Sequence, residues 1–99
     1  MSFEKVGTSA VEKAKKYIEM TAKALEVVEI VPPPNSYLRR VAELLLDMAR
    51  RYWEDAKYYL EKDPLTALAA ASYAHAWLDV GVVLGLLKGE DPKLFMVEP

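Results

Sequence analysis

The sequence predicts an all-α fold, an up-down-up three-helix bundle with a short C-terminal tail packed back on it. Three observations carry this. Two proline-bearing breaks, "VPPPN" at 31–35 and "KDPL" at 62–65, divide the chain into three segments of helical length. The first two segments place apolar residues at helical spacing with charges opposite. The third is almost wholly apolar and supplies the partner that the other two stripes need.

The first helix is expected over about 8–30, starting at Thr8 or Ser9. At ~100° per residue Val11, Ala14, Ile18, Ala22 and Leu25 form its stripe. Glu12/Lys16 and Glu19/Lys23 have the favourable order for i,i+4 pairs. Three prolines then stop the helix by removing backbone donors and pushing their predecessors to extended conformations.

The second helix is expected over about 36–62. Leu38, Val41, Ala42, Leu45, Met48, Ala49, Tyr52, Ala56, Tyr59 and Leu60 share one face. Arginines and carboxylates, including Arg39, Arg40, Glu43, Asp47, Arg50, Arg51 and Glu54, share the other. Leu44 and Tyr58 fall on that charged side, as Met20 and Val27 fall off the stripe of the first helix.

The third helix is expected over about 64–88, capped by Asp63 with Pro64 at its first position and ended by Gly89. Around its axis it divides into three sectors. Leu65, Tyr73, Trp77, Val80, Val83, Leu84 and Leu87 form a large-residue sector, expected to fill the core. Ala67, Ala70, Ala74, Gly81 and Gly85 form a small-residue sector, the candidate interface for another helix. Leu68, Ser72, His75, Asp79 and Leu86 form the third. In the tail, Leu94, Phe95 and Val97 are expected to fold back.

Composition narrows the function classes. Ninety-nine residues, 53% hydrophobic and 28% charged, suit one soluble domain over 1–99. A net charge of −2 offers no global field for nucleic acid or anionic lipid. The absence of cysteine excludes disulfides, thiolate-ligated zinc and thiol catalysis. The chain has no glutamine and a single asparagine, Asn35, a composition that points to a thermophile. "MSFEKVGTSAVEKAKKY" lacks an apolar run followed by a small-residue cleavage site, so a cytoplasmic protein is expected.

The third helix invites a membrane reading, because Gly81-x-x-x-Gly85 sits in a long apolar run. Asp79 argues against it: an aspartate near the bilayer centre costs about 2.5–3.5 kcal/mol, and no basic cluster flanks the segment. No membrane partner is expected.

Ser72, His75 and Asp79 stand at i, i+3 and i+7 and match a hydrolase triad in residue type. No nucleophile elbow or oxyanion turn accompanies them, so no catalytic residue is assigned. The alternative is an Asp79–His75 pair that fixes the imidazole. No second histidine exists, and Glu43, Asp47 and Glu54 fall on the polar side of the second helix, so neither a metal nor a cofactor is expected. Arg39–Arg40 and Arg50–Arg51 are interleaved with carboxylates and read as a solvated face rather than a phosphate-binding one.

The run "YYLEKDPLTALAAASYAHAWLDVGVVLGLL", residues 58–87, resembles the C-terminal half of a small archaeal family, domain of unknown function 357, most specifically in "SYAHAWLDVGVVLGLL", 72–87. Tyr73, His75, Trp77, Asp79, Gly81 and Gly85 stand at that pattern's signature positions. The chain departs from it in the turn "KDPLT", where a glycine is usual, and at Ala76, where a glycine is common. The resemblance implies a three-helix bundle and an archaeal origin, and no activity. The favoured function is a non-enzymatic interaction module, self-associating as a homo-oligomer or binding another protein. The alternatives are a small-ligand or catalytic site at Tyr73, His75, Trp77 and Asp79, and nucleic-acid binding through the arginines of the second helix.

Overall fold

A computed structural model describes the backbone of residues 3–95 and the side chains of residues 9–95. It is an all-α bundle of three helices, α1 (Phe3–Val27), α2 (Tyr37–Tyr59) and α3 (Pro64–Val83). Two short strands, β1 (Glu29–Ile30) and β2 (Leu87–Lys88), pair antiparallel at one end. The molecule is elongated, 52 × 28 × 17 Å. Helix α3 packs along both α2 and α1, which touch each other much less.

The breaks work as their chemistry requires. Ser36 accepts the Arg39 N–H at 3.1 Å and caps α2, while its hydroxyl donates to the Pro33 carbonyl at 2.8 Å. Asp63 caps α3, accepting from the Thr66 N–H at 3.3 Å and the Thr66 hydroxyl at 2.6 Å. Those two bonds hold the Asp63 carboxyl below its usual value, the hydroxyl bond contributing most. Pro64, with no N–H to satisfy, occupies the first turn.

Helix ends depart from expectation where strands intervene. α1 stops at Val27 and α3 at Val83, and a β1–β2 pair follows the two ends. Glu29 lies opposite Lys88 and Ile30 opposite Leu87, and Val31 N–H donates to the Leu86 carbonyl at 3.0 Å. Gly85, not Gly89, ends α3. It sits at φ +75°, with Leu86 N–H bonded to the Gly81 carbonyl and Gly85 N–H to that of Val82. This is the Schellman arrangement, which needs a residue tolerant of the left-handed region.

The core is lined by small residues. Ala42, Ala49 and Ala56 recur every seven residues on α2 and are fully buried. Ala67, Ala71, Ala74, Leu78 and Gly81 recur at four-three spacing on α3 and are buried too. Helix α1 adds Ala10, Ala14, Thr21 and Ala24. Small side chains on facing seams let helix backbones approach closely, and the seven-residue repeat is that of left-handed helix packing. Larger groups close the strand end: Leu45, Leu46, Leu78, Leu86, Leu87 and Phe95 pack as one cluster.

Three corrections follow. The small-residue sector of α3 faces inward, and the large-residue sector faces outward: Leu65, Tyr73, Val80, Val83 and Leu84 are all exposed. From that sector, Leu87 is buried beyond the helix end and Trp77 is partly buried against the core. On α1 the buried line is rotated from the expected stripe, leaving Val11, Ile18, Ala22 and Leu25 at its margin. Among the described residues the ion pairs of the helices lie on α2 (Arg39–Glu43, Asp47–Arg51, Glu54–Lys57), while His75 Nε2 and the Asp79 carboxylate stand 3.9 Å apart on α3. None joins Glu12 to Lys16 or Glu19 to Lys23. The tail does fold back: Phe95 is buried and Leu94 packs against the core, while Val97 lies outside the described residues.

Candidate functional site

His75 projects from the inner side of α3 toward α1 and the tail. The residue is 9% exposed. Nε2 lies 2.6 Å from the Leu94 carbonyl and Nδ1 lies 3.1 Å from the Thr21 hydroxyl. A carbonyl can only accept, so Nε2 carries a hydrogen and donates it. With the ring neutral, Nδ1 then accepts from the Thr21 hydroxyl. Both ring nitrogens are therefore engaged, by an α1 side chain and by the tail backbone. The Asp79 carboxylate is 3.9 Å from Nε2, outside hydrogen-bond distance. The imidazole is fixed by Thr21 and Leu94, not by Asp79.

Ser72 is exposed and its hydroxyl donates to the Leu68 carbonyl at 2.9 Å, so it forms no triad with His75. The four candidate ligand-binding residues do not converge. His75 and Asp79 share one side of α3, beside a shallow hollow lined also by Pro92, Lys93, Leu94 and Phe95. Tyr73 and Trp77 lie on the other side, where Tyr73 packs at 5.5 Å and a 41° tilt against Tyr52 of α2. At ~100° per residue, the two pairs are roughly 160° apart around the helix.

Sequence reasoning missed Thr21 and Leu94. Thr21 had a signal: it is a polar residue at helical spacing from Ala10, Ala14 and Ala24 of α1. Leu94 had none, because its contribution is a backbone carbonyl.

Of the five candidate interface residues, Ala67, Ala70, Ala74 and Gly81 are buried inside the chain's own bundle. Gly81 leaves no room for a side chain, since a Cβ there would lie 2.6 Å from Leu87 Cγ. Gly85 is exposed and serves as the helix stop. These residues join helices within one chain.

The arginines of α2 are partly neutralised in place. Arg39 pairs with Glu43 at 3.2 Å and also donates to the Pro32 carbonyl at 3.2 Å, and Arg51 pairs with Asp47 at 2.9 Å. Trp53 is committed to structure, its indole N–H donating to the Ile18 carbonyl at 3.0 Å and its ring carrying the Lys57 ammonium at 3.6 Å. Among the described residues no group of three or more metal-binding side chains converges, and no helix is long and apolar enough to cross a membrane.

The outer face of α3 is the surface of a different kind. Leu65, Tyr73, Val80, Val83 and Leu84 are between 44% and 65% exposed on one side of a single helix. Ala76, Val80, Val83 and Leu84 also line a shallow hollow on that face, with Asp79 at its edge. Asp79 is the sole Asp, Glu, Lys or Arg between Asp63 and Lys88. The outer faces of α1 and α2 are charged by contrast.

No curated protein and no solved structure matches the chain. A family model described as "Protein of unknown function (DUF357)" matches residues 16–87, which takes in the C-terminal half of α1, all of α2 and α3, and the turn to β2. Since that match spans well over half of the residues, the chain belongs to the DUF357 family.

Proposed function

We propose that this protein is a non-catalytic interaction module whose docking face is the outer surface of α3. The reading is carried by one observation: five large apolar side chains stand exposed on one side of that helix. They leave on the order of 500 Å² bare, toward the upper end of the largest patches of monomeric proteins, ~300–600 Å² and often functional. A helix apolar on every side belongs in a core. Here the chain covers only part of it, so the remaining face fits a partner of the same chemistry, an uncharged helical surface.

His75 supports this reading from the other direction. A general base or metal ligand needs a free nitrogen, and both of its nitrogens are tied to Thr21 and Leu94. The reading takes the chain as one domain acting in the cytoplasm of an archaeal thermophile, on the strength of its composition and the family resemblance.

The test uses the hydrophobic dye 8-anilinonaphthalene-1-sulfonate with dilute protein. The native chain is expected to enhance dye fluorescence, and Val80→Lys/Val83→Lys is expected to abolish the enhancement while the helical circular dichroism is kept. A folded native chain that leaves the dye dark, or a double variant that still lights it, would remove the docking face.

A further inference from the structure

We infer that the partner of this face is a second copy of the chain, docked antiparallel across a two-fold axis level with the space between residues 74 and 75. This rests on the docking-face reading and adds its occupant and register.

The spacing along α3 is the first support. Reversing the helix about that level sets Leu65 opposite Leu84 of the second copy, Ala69 opposite Val80 and Tyr73 opposite Ala76. Each of these residues lies on the exposed side. The inner two pairs set a large side chain against an alanine, which interdigitates surfaces, and the outer pair sets leucine against leucine. A two-fold interface requires such self-complementarity, since one patch must serve both sides.

Charge is the second support. Apolar surface of this extent must meet surface without charge, because a desolvated unpaired charge is costly. Both other helices interleave their exposed apolar residues, such as Leu44 and Tyr58 on α2, with charged ones, so on this chain the outer face of α3 is the matching surface. Antiparallel docking keeps the Asp79 carboxylates apart: each stands 4.5 residues from the axis, giving a separation of about 13 Å along the helix direction.

Area is the third. Complete burial of the five large side chains on both copies would remove at most about 1,000 Å² in total, the size at which specific interfaces begin. Association at that threshold is expected to be reversible and concentration-dependent rather than obligate.

Because the chain has no cysteine, single thiols report the register. Sedimentation of the native chain is expected to show a monomer–dimer equilibrium, lost in Val80→Lys. Under mild oxidation Ala76→Cys is expected to form a disulfide-linked dimer, since the two Cα atoms lie about 6 Å apart in this register. Val83→Cys is not, its two copies being about 25 Å apart. Cross-linking of Val83→Cys at the rate of Ala76→Cys would overturn the antiparallel register. A native chain that stays monomeric at millimolar concentration would overturn the second copy. If that monomer still binds the dye through Val80 and Val83, the docking face stands with another occupant. If it does not, both readings fall.

Discussion

His75 Nε2 donates to the carbonyl of Leu94 at 2.6 Å, joining the middle of α3 to a tail nineteen residues away. On the same ring, Nδ1 meets Thr21 of α1. One imidazole thus links three segments that are distant in sequence, with the Thr21 bond buried and the Leu94 bond partly buried. Satisfied buried polar groups specify a packing, and half-satisfied ones destabilise it.

Removing either partner should therefore destabilise the fold. Thr21→Val keeps the shape and deletes the hydroxyl, leaving a buried ring nitrogen without its partner. A loss of about 1–3 kcal/mol is expected in urea unfolding. His75→Phe should cost as much and also release the tail, seen as faster amide exchange at Phe95, whose N–H bonds to the Asp91 carbonyl. Thr21→Val should leave that exchange unchanged.

Gly81 and Gly85 should respond to alanine for different reasons. At Gly81 the helix favours alanine by about 1 kcal/mol, but the new Cβ would collide with Leu87. Overpacking costs about 1–3 kcal/mol, so a net loss is expected, recovered in part by Leu87→Val. At Gly85 nothing lies within 4 Å of an added Cβ, so the penalty is the left-handed backbone alone, about 1–2 kcal/mol. Gly85→Asn should be milder than Gly85→Ala. Thermal unfolding of the four variants checks both mechanisms.

The Asp63 cap should make stability fall in acid. The Thr66 hydrogen bonds lower its folded-state pKa from the usual 3.8. A carboxyl with a lowered folded pKa stabilises fully above its unfolded value, and that contribution is lost as pH falls through the folded one. Between pH 5 and about 2, melting temperature should drop less in Asp63→Asn than in the native chain, because the amide still accepts from Thr66 without titrating. Equal slopes would mean the cap carries no charge-dependent stability.

The helices and their breaks were legible from local chemistry. Three consecutive prolines, Ser36 and the Asp63–Pro64 pair act on their immediate neighbours, so residue type was enough. The return of Leu94 and Phe95 was legible from their apolarity in a polar tail. The orientation of α3 was not. Its inner line (67, 71, 74, 78, 81) and its outer line (65, 69, 73, 76, 80, 83) both have helical spacing, so periodicity cannot choose between them. Volume suggested that the larger residues would be inside. The choice was made instead by the alanine repeat of α2 at 42, 49 and 56, whose close approach only the small line can accept. The strands escaped notice because two residues each show no alternation, and the partners of His75 because Thr21 is 54 positions away.

The central claim is that α3 turns its small residues inward and its large ones to water. Maleimide labelling of single thiols in dilute native protein tests it most directly. Val83→Cys should react at nearly the rate of a free thiol, and Ala74→Cys should react only as fast as the protein opens. Rapid labelling at position 74 with protection at 83 would show the helix facing the other way, and would contradict the account.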